Sequence, residues 1–473
     1  MEVKLVAVAA VISNKQLKKI MKRLLIVLLV VFTAIINAQE KKDSIAVNRT
    51  AYKKKVLDNV EVNFLYSNYL QNGSHAAVTG GVGDEKLTDN TPAILINIPL
   101  NADAILSVDF GVDFTTSAST DQINPFAVAV TGGGEGDDRD KSGTTSSKSS
   151  ALLKTSASTG GGDDGPPAHA RKHGSLTYTH TSDNRTFSWG VDGAFSSEQG
   201  YNSVGAGIQF RKSFNNDNSE INFNSSAYFD KLDLIYPGEF RTSEGLSPSV
   251  GFKLLDLNHR NSFSAALSFS QMLNKRMQIS FSADIIYQEG LLSTNYQRVY
   301  FKDKPIETVN NIELAHDVER LPSTRSKHPF GMRFNYAVSD VIILRTFYRY
   351  YSDDWGVSAN TYDIQVPLKL SESFTVYPMY RHHSQQQSTY FAPKSSHKST
   401  ETFYTSDYDL STFSSSQYGV GFTIAPPLGI FKLDTSNAGN PFRFKSFDIR
   451  YNYYSRSDGL KANILSLNAQ FSF

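Results

Sequence analysis

Asp109, Asp113, Asp192 and Asp284 stand at polar positions of segments in which every second residue is apolar. Arg345, Arg349, Arg381 and Arg450 hold equivalent positions later in the chain. Acids facing bases across a watery passage would create a transverse field, because charges in a narrow low-dielectric channel are poorly screened. Such a field orients dipolar solutes and turns apolar ones away. The same groups could instead pair with neighbours or with an inserted loop and plug the passage, since interior charge is expected of both arrangements. A second set, Asp121, Asp353, Asp354, Asp407 and Asp409 with Trp355, Tyr404 and Tyr408, falls near segment ends and is expected at one external mouth. Converging carboxylates with aromatic flanks suit a divalent cation or a stacked ring. The strings SDDWG and SDYD read equally as turns in which Asp accepts from nearby backbone amides, so whether a metal binds is open.

Motifs for catalysis do not occur: there is no nucleophile elbow, HExxH, phosphate loop or paired histidine ligand set. His382 and His383 are adjacent, so on a strand they point to opposite faces and cannot share a metal. No catalytic residue and no cofactor is expected. A hydrolase built from scattered Ser and His on a rim remains an alternative without a motif behind it.

The elements that must position these residues follow a period of two. Ala104, Leu106, Val108, Phe110, Val112 and Phe114 alternate with Ser107, Asp109, Gly111 and Asp113. Met277, Ile279, Phe281, Ala283, Ile285 and Tyr287 alternate with Gln278, Ser280, Ser282 and Asp284, and the chain ends with Leu465, Leu467, Ala469, Phe471 and Phe473 in the same rhythm. Each segment therefore has one apolar face and one wet face. Tyr 24, Phe 31 and Gly 31 in a chain of 473 residues suit strands and turns. The absence of cysteine excludes disulfides, Cys-ligated zinc, iron–sulfur clusters and a thiol nucleophile. Mean hydropathy of −0.32 argues against a bundle of membrane helices.

The stretch MKRLLIVLLVVFTAIINAQ from Met21 reads as a secretory signal peptide over 21–38, with an apolar run of h-region length and small Ala38 at its end. Residues 1–20 read as an upstream extension, and 39–57 as a periplasmic lead-in. Removing residues 1–38 takes away six basic residues and one acidic one, so the formal net charge of +1 becomes −4. No bulk positive charge is left to attract nucleic acid.

Strands of about ten residues are long for a soluble sandwich but match a tilted bilayer crossing. The expected fold is all-β: a transmembrane antiparallel barrel over 58–473, about 16 strands (14 to 18), running from Asp58–Tyr69 to Lys461–Phe473. Its turns should be short on one side. Long external loops are expected at Gln71 to Pro92, Ser117 to His173, Asp230 to Asn261, Gln288 to Lys327 and Ser384 to Ser416. Within 117–173, Gly132 to Pro167 is low-complexity Gly, Ser, Thr and Asp and reads as a solvated linker, because its GDD triplets lack the spacing of a calcium loop. Ala425 to Lys445 is long for a periplasmic turn.

Several stretches resemble an uncharacterised family of Bacteroidota outer-membrane barrels known only as a domain of unknown function. They include TTSASTDQI (115–123), QEGLLSTNYQRVYF (288–301), ERLP (319–322), YRYYSDDWGVSANT (348–361), YFAP (390–393) and YTSDYDLS (404–411). The resemblance implies a barrel in the outer membrane and brings no activity and no site residue. Expected partners are the lipid bilayer and the barrel-assembly machinery, which would read the last strand ending in Phe473; envelope proteins meeting the long loops are a further expectation. Two functions stay open: a porin-like or ligand-selective channel for small polar solutes, and a loop-bearing scaffold with a plugged lumen.

Overall fold

A computed structural model describes residues 55–117, 169–241, 255–309, 312–433 and 441–473. The signal peptide, the upstream extension, Asp121 and the Gly132–Pro167 segment lie outside the described residues. Sixteen antiparallel strands close into a barrel. They are β1 (Glu61–Asn72), β2 (Leu87–Pro99), β3 (Ala104–Ser117), β4 (His169–Thr181), β5 (Phe187–Glu198), β6 (Tyr201–Phe214), β7 (Ser219–Leu232) and β8 (His259–Asn274). The second half comprises β9 (Met277–Gly290), β10 (Thr324–Lys327 continuing as Phe330–Ala337), β11 (Ile343–Ser352), β12 (Ser358–Gln365), β13 (Phe374–Gln386), β14 (Phe413–Ile424), β15 (Phe442–Arg456) and β16 (Lys461–Ser472). Each strand pairs with its sequence neighbours. The sheet shuts where β1 meets β16, in continuous register from Glu61↔Ser472 to Asn72↔Lys461.

Alternation decides which side chains meet lipid. Leu176, Val204, Leu267 and Ile285 point outward and are 52%, 60%, 53% and 57% exposed, a pattern no aqueous surface would favour but hydrocarbon does. The residues between them, such as Asp192, Ser268 and Asp284, point inward. Outward aromatic rings form two rows, as at the two interfaces of a bilayer. Phe210–Phe223, Phe374–Phe422 and Phe444–Phe471 lie toward the short-turn end, with centroids 6.3, 6.4 and 4.9 Å apart. Tyr348–Tyr362 and Tyr380–Tyr418, at 5.1 and 5.0 Å, lie nearer the opposite end.

At the short-turn end the chain reverses tightly. The β6–β7 turn holds Asn215, Asn216 and Asp217 at φ of 55°, 52° and 62°, a left-handed run that Asn and Asp tolerate through local side-chain hydrogen bonding. The long connection after β14 adds a pairing of Phe431–Leu433 with Phe442–Phe444, which extends the wall downward. One expectation about a connection needs correction. Leu87 to Pro92, expected in a loop, belong to β2; the polar run Thr88 to Asn90 hides the alternation, and Pro92, lacking an N–H, interrupts the ladder to β3 between Asn90↔Phe114 and Ala93↔Gly111. The long-loop end also contains tight reversals, at Gly200 (φ 79°) between β5 and β6 and at Gly459 (φ 101°) between β15 and β16.

If the outer face meets hydrocarbon, Leu267→Arg should cost roughly 2–4 kcal/mol when unfolding is followed in lipid vesicles, whereas Ser268→Arg, one residue along and facing the lumen, should cost far less. Equal losses for the two would contradict this sidedness.

Candidate functional site: a charged lumen beneath a loop cap

The lumen wall is built from the inward residues of successive strands, and their partners follow from the register. Asp113 on β3 meets Arg171 on β4 at 2.9 Å, so this acid pairs with its neighbour and does not face a base across the lumen. Arg381 on β13 is likewise claimed by Asp363 on β12 at 3.1 Å. Arg450 stands 3.9 Å from Asp448 and donates to the Tyr377 hydroxyl at 3.4 Å. Asp109 and Asp192 make no ion pair among the described residues; Gly207 opposite Asp192 leaves room for that carboxylate, since a Cβ there would lie 2.5 Å from its Oδ1. Arg345 touches Gln365 at 3.4 Å, and Arg349 sits across the sheet from Gly331. Both arginines are exposed to solvent inside the barrel. Arg333 and Asp363, not singled out in the sequence, join this wall; both occupy polar positions between Met332 and Phe334 and between Tyr362 and Ile364, so the same alternation marks them.

Packing that a soluble protein would place at its centre lies in the loops. The two buried apolar clusters of the described residues are Phe240, Tyr300, Ala315 and Val318, and Val299, Phe301 and Tyr404, all from connections at the long-loop end. A bidentate ion pair ties them together: Arg298 donates to Glu239 at 2.7 and 2.9 Å with both side chains only 3% exposed, and reaches the Val78 carbonyl at 3.0 Å. His75 stacks on Tyr408 at 3.8 Å, and Tyr404 donates to Asp317 at 2.7 Å. The loops thus form one folded cap. Between the cap and the wall of β1 to β4 lies a cavity of about 880 Å³ whose lining includes Glu85, Asp89, Asp113, Asp407, Asp409 and Arg171.

The predicted mouth residues do not gather at one place. Asp407 and Asp409 line this vestibule. Asp353 instead bonds Arg325 at 2.9 Å and Tyr351 at 2.8 Å, accepts from the amides of Trp355 and Val357, and has no exposed side-chain surface. Trp355 lies under Arg325 at 4.3 Å, and Asp354 accepts from the Ser326 amide at 3.0 Å. These three lock the β11–β12 reversal onto β10. Asp407 also does turn work, accepting from the Asp409 amide at 2.9 Å. Among the described residues no group of three or more His, Asp or Glu is arranged to hold a metal ion.

Glu319 is the most perturbed acid of the cap. Burial, and then the Asp407 carboxylate, push its pKa up to about 8 against hydrogen bonds from the Thr405 hydroxyl (2.5 Å) and the Thr294 amide (2.7 Å). Asp407 is pushed up to about 6 by burial and then by Asp409. Burial raises Glu85 as well. Sequence inspection does not single out Glu319, because a loop has no period that marks a residue as buried.

A closed antiparallel barrel with an apolar exterior, a charged interior and its packing moved into loops defines a transmembrane β-barrel of the outer-membrane type. The chain belongs to the family described as protein of unknown function DUF3570, whose model matches residues 28–462. No curated protein matches the sequence. Among solved structures, the chain is similar to a bacterial polysaccharide outer membrane secretin at 10% identity, covering 88% of this chain and 98% of that one with a TM-score of 0.39. It is also similar to the outer membrane protein opdK from Pseudomonas aeruginosa (8%, 88% and 99%, TM-score 0.36) and to OprD from the same organism (8%, 91% and 98%, TM-score 0.35). The barrel itself rests on the strand register, not on these likenesses.

Two outcomes test the cap. Below pH about 4.5 Glu319 is protonated whether the cap is closed or open; between about 4.5 and 8 only the closed cap holds the proton, so cap stability falls as pH rises through that window. Protease cleavage within 291–323 should accelerate across it in the native chain and much less in Glu319→Gln. Arg298→Met should destabilise the cap by about 3–5 kcal/mol by stranding Glu239, and the double change Arg298→Met/Glu239→Leu should recover much of that loss.

Proposed function

We propose that the protein is an outer-membrane channel that passes small polar solutes through a water-filled, charge-lined lumen. The observation carrying this reading is the exposure of Arg333, Arg345 and Arg349 on the inner face, which a lumen filled by the side chains or loops of the described residues would bury. Asp109 on β3 stands about half a barrel away from β10 and β11 and Asp192 on β5 about a third, an arrangement that supports a transverse field acting on dipolar solutes. The acidic vestibule under the cap would be the first surface a solute meets. In this reading the chain is not an enzyme, is exported by the leader at 21–38 into an envelope of Bacteroidota type, and is inserted by assembly machinery that reads the strand ending in Phe473.

The ordered cap supports a second role. Its buried ion pair and ring contacts give the loops one defined surface, as docking of an envelope protein would need. Conductance separates the two. Purified full-length protein in a planar bilayer should give stable ionic steps, and Arg345→Ala/Arg349→Ala should change their conductance; a silent membrane together with a co-purifying envelope protein would support the scaffold and overturn the channel.

A further inference from the structure

We propose that Arg333, Arg345 and Arg349 form an oxyanion subsite in the lumen wall, taking the carboxylate or phosphate end of a solute; as a station for permeating solutes it rests on the channel reading above. Arg345, Phe347 and Arg349 are successive inward residues of β11, and the register sets Arg333 of β10 directly across from Phe347. The register thus places Arg345 and Arg349 on either side of Phe347 along β11 and Arg333 across from it, with the Arg333 guanidinium 5.5 Å from the ring centroid. Residues placed diagonally across an antiparallel pair lie roughly 7–8 Å apart, within the reach of long side chains toward a common ligand.

Three features leave these cations available. Among the described residues no carboxylate lies within 4.0 Å of any of the three. Asp363, whose backbone pairs with Phe347, gives its carboxylate to Arg381 at 3.1 Å. Gly331, across from Arg349, contributes no side chain; a Cβ there would meet Ser282 Oγ at 2.5 Å. Ser280 stands across from Arg333 and Thr361 across from Arg349; the acids on the flanking strands are Asp363 of β12, held by Arg381, and Asp284 of β9, which feels the charge of Arg349. A guanidinium presents a planar fork of N–H donors that matches an oxyanion, so this wall suits carboxylates and phosphates. Phe347 between the forks gives an apolar surface for the body of such a solute. An ammonium on the same solute would be drawn toward Asp109 and Asp192.

The test uses full-length protein with citrate and inorganic phosphate as probes. Calorimetry in detergent at low ionic strength should show binding that Arg333→Gln/Arg345→Gln/Arg349→Gln weakens by about tenfold or more, as expected when charge-assisted bonds are lost. Lys275→Gln/Arg276→Gln, which removes two cations in the β8–β9 turn away from this wall, should leave that binding intact. In planar bilayers the same anions should reduce the open-channel current of the native chain and not of the triple variant. Absence of binding, or equal binding by the triple variant, overturns the subsite even if the barrel conducts. Arginine-dependent binding with a silent membrane upholds the subsite and overturns the channel. A triple variant with native strand content in circular dichroism excludes misfolding as the cause of lost binding.

Discussion

Inside hydrocarbon a backbone N–H or C=O has no partner but another strand, and each one left unpaired costs several kcal/mol. The pairing of β1 with β16 is therefore the contact on which everything else depends. It removes the last open edge and fixes the sense in which all sixteen strands face. Because side chains alternate with period two, a slip of one residue anywhere would turn a strand's apolar set into the lumen and its charges into lipid. Leu176, Val204 and Leu267 outside and Asp192 and Arg349 inside are thus two readings of one constraint.

Closure also determines where tertiary packing can occur. A wall one residue thick around a wide lumen offers no interior for large side chains to share, and the buried clusters lie in the loops instead. There the surroundings are dry enough that charges must pair. Arg298 and Glu239 do so with both side chains almost fully buried, and Arg325 and Asp353 lock a reversal in the same way. Glu319 is the exception. With no cationic partner among the described residues, it is favoured in its neutral form by burial and by the Asp407 carboxylate.

The barrel was legible because lipid and water impose a signal on every residue of a strand. A count of about sixteen strands, with 14 to 18 left open, can be read from the sequence, and even Arg333 and Asp363 sit where the rule puts lumen residues. The signal fails at β2, where Thr88, Asp89, Asn90 and Pro92 replace the apolar set near the end of the crossing. It says nothing about angular position around the mouth. Asp353 follows the end of β11 and Asp407 precedes the start of β14, yet one is sealed beneath Arg325 and the other lines a cavity. Their roles depend on which loops fold against which strands, and loop side chains carry no period from which that can be read. Whether a wall charge finds a partner is similarly a matter of register: Asp113 meets Arg171 because β3 and β4 align to within one pair, a detail invisible in either segment alone.

The contrast between paired and unpaired charges bears on the state of the lumen. Two like charges about 7–8 Å apart repel by roughly 0.5 kcal/mol in bulk water but by about 2 kcal/mol at the effective dielectric of a protein surface. Arginines at diagonal register positions, as Arg333 is to Arg345 and to Arg349, are thus cheap to keep only where water reaches them, and these three are exposed. Where space closes, Arg298 in the cap and Arg325 at the loop end of β10 each hold a carboxylate. Among the described residues, basic charge is therefore neutralised where the surroundings are dry and left without a carboxylate at Arg333, Arg345 and Arg349, where the inner face is exposed.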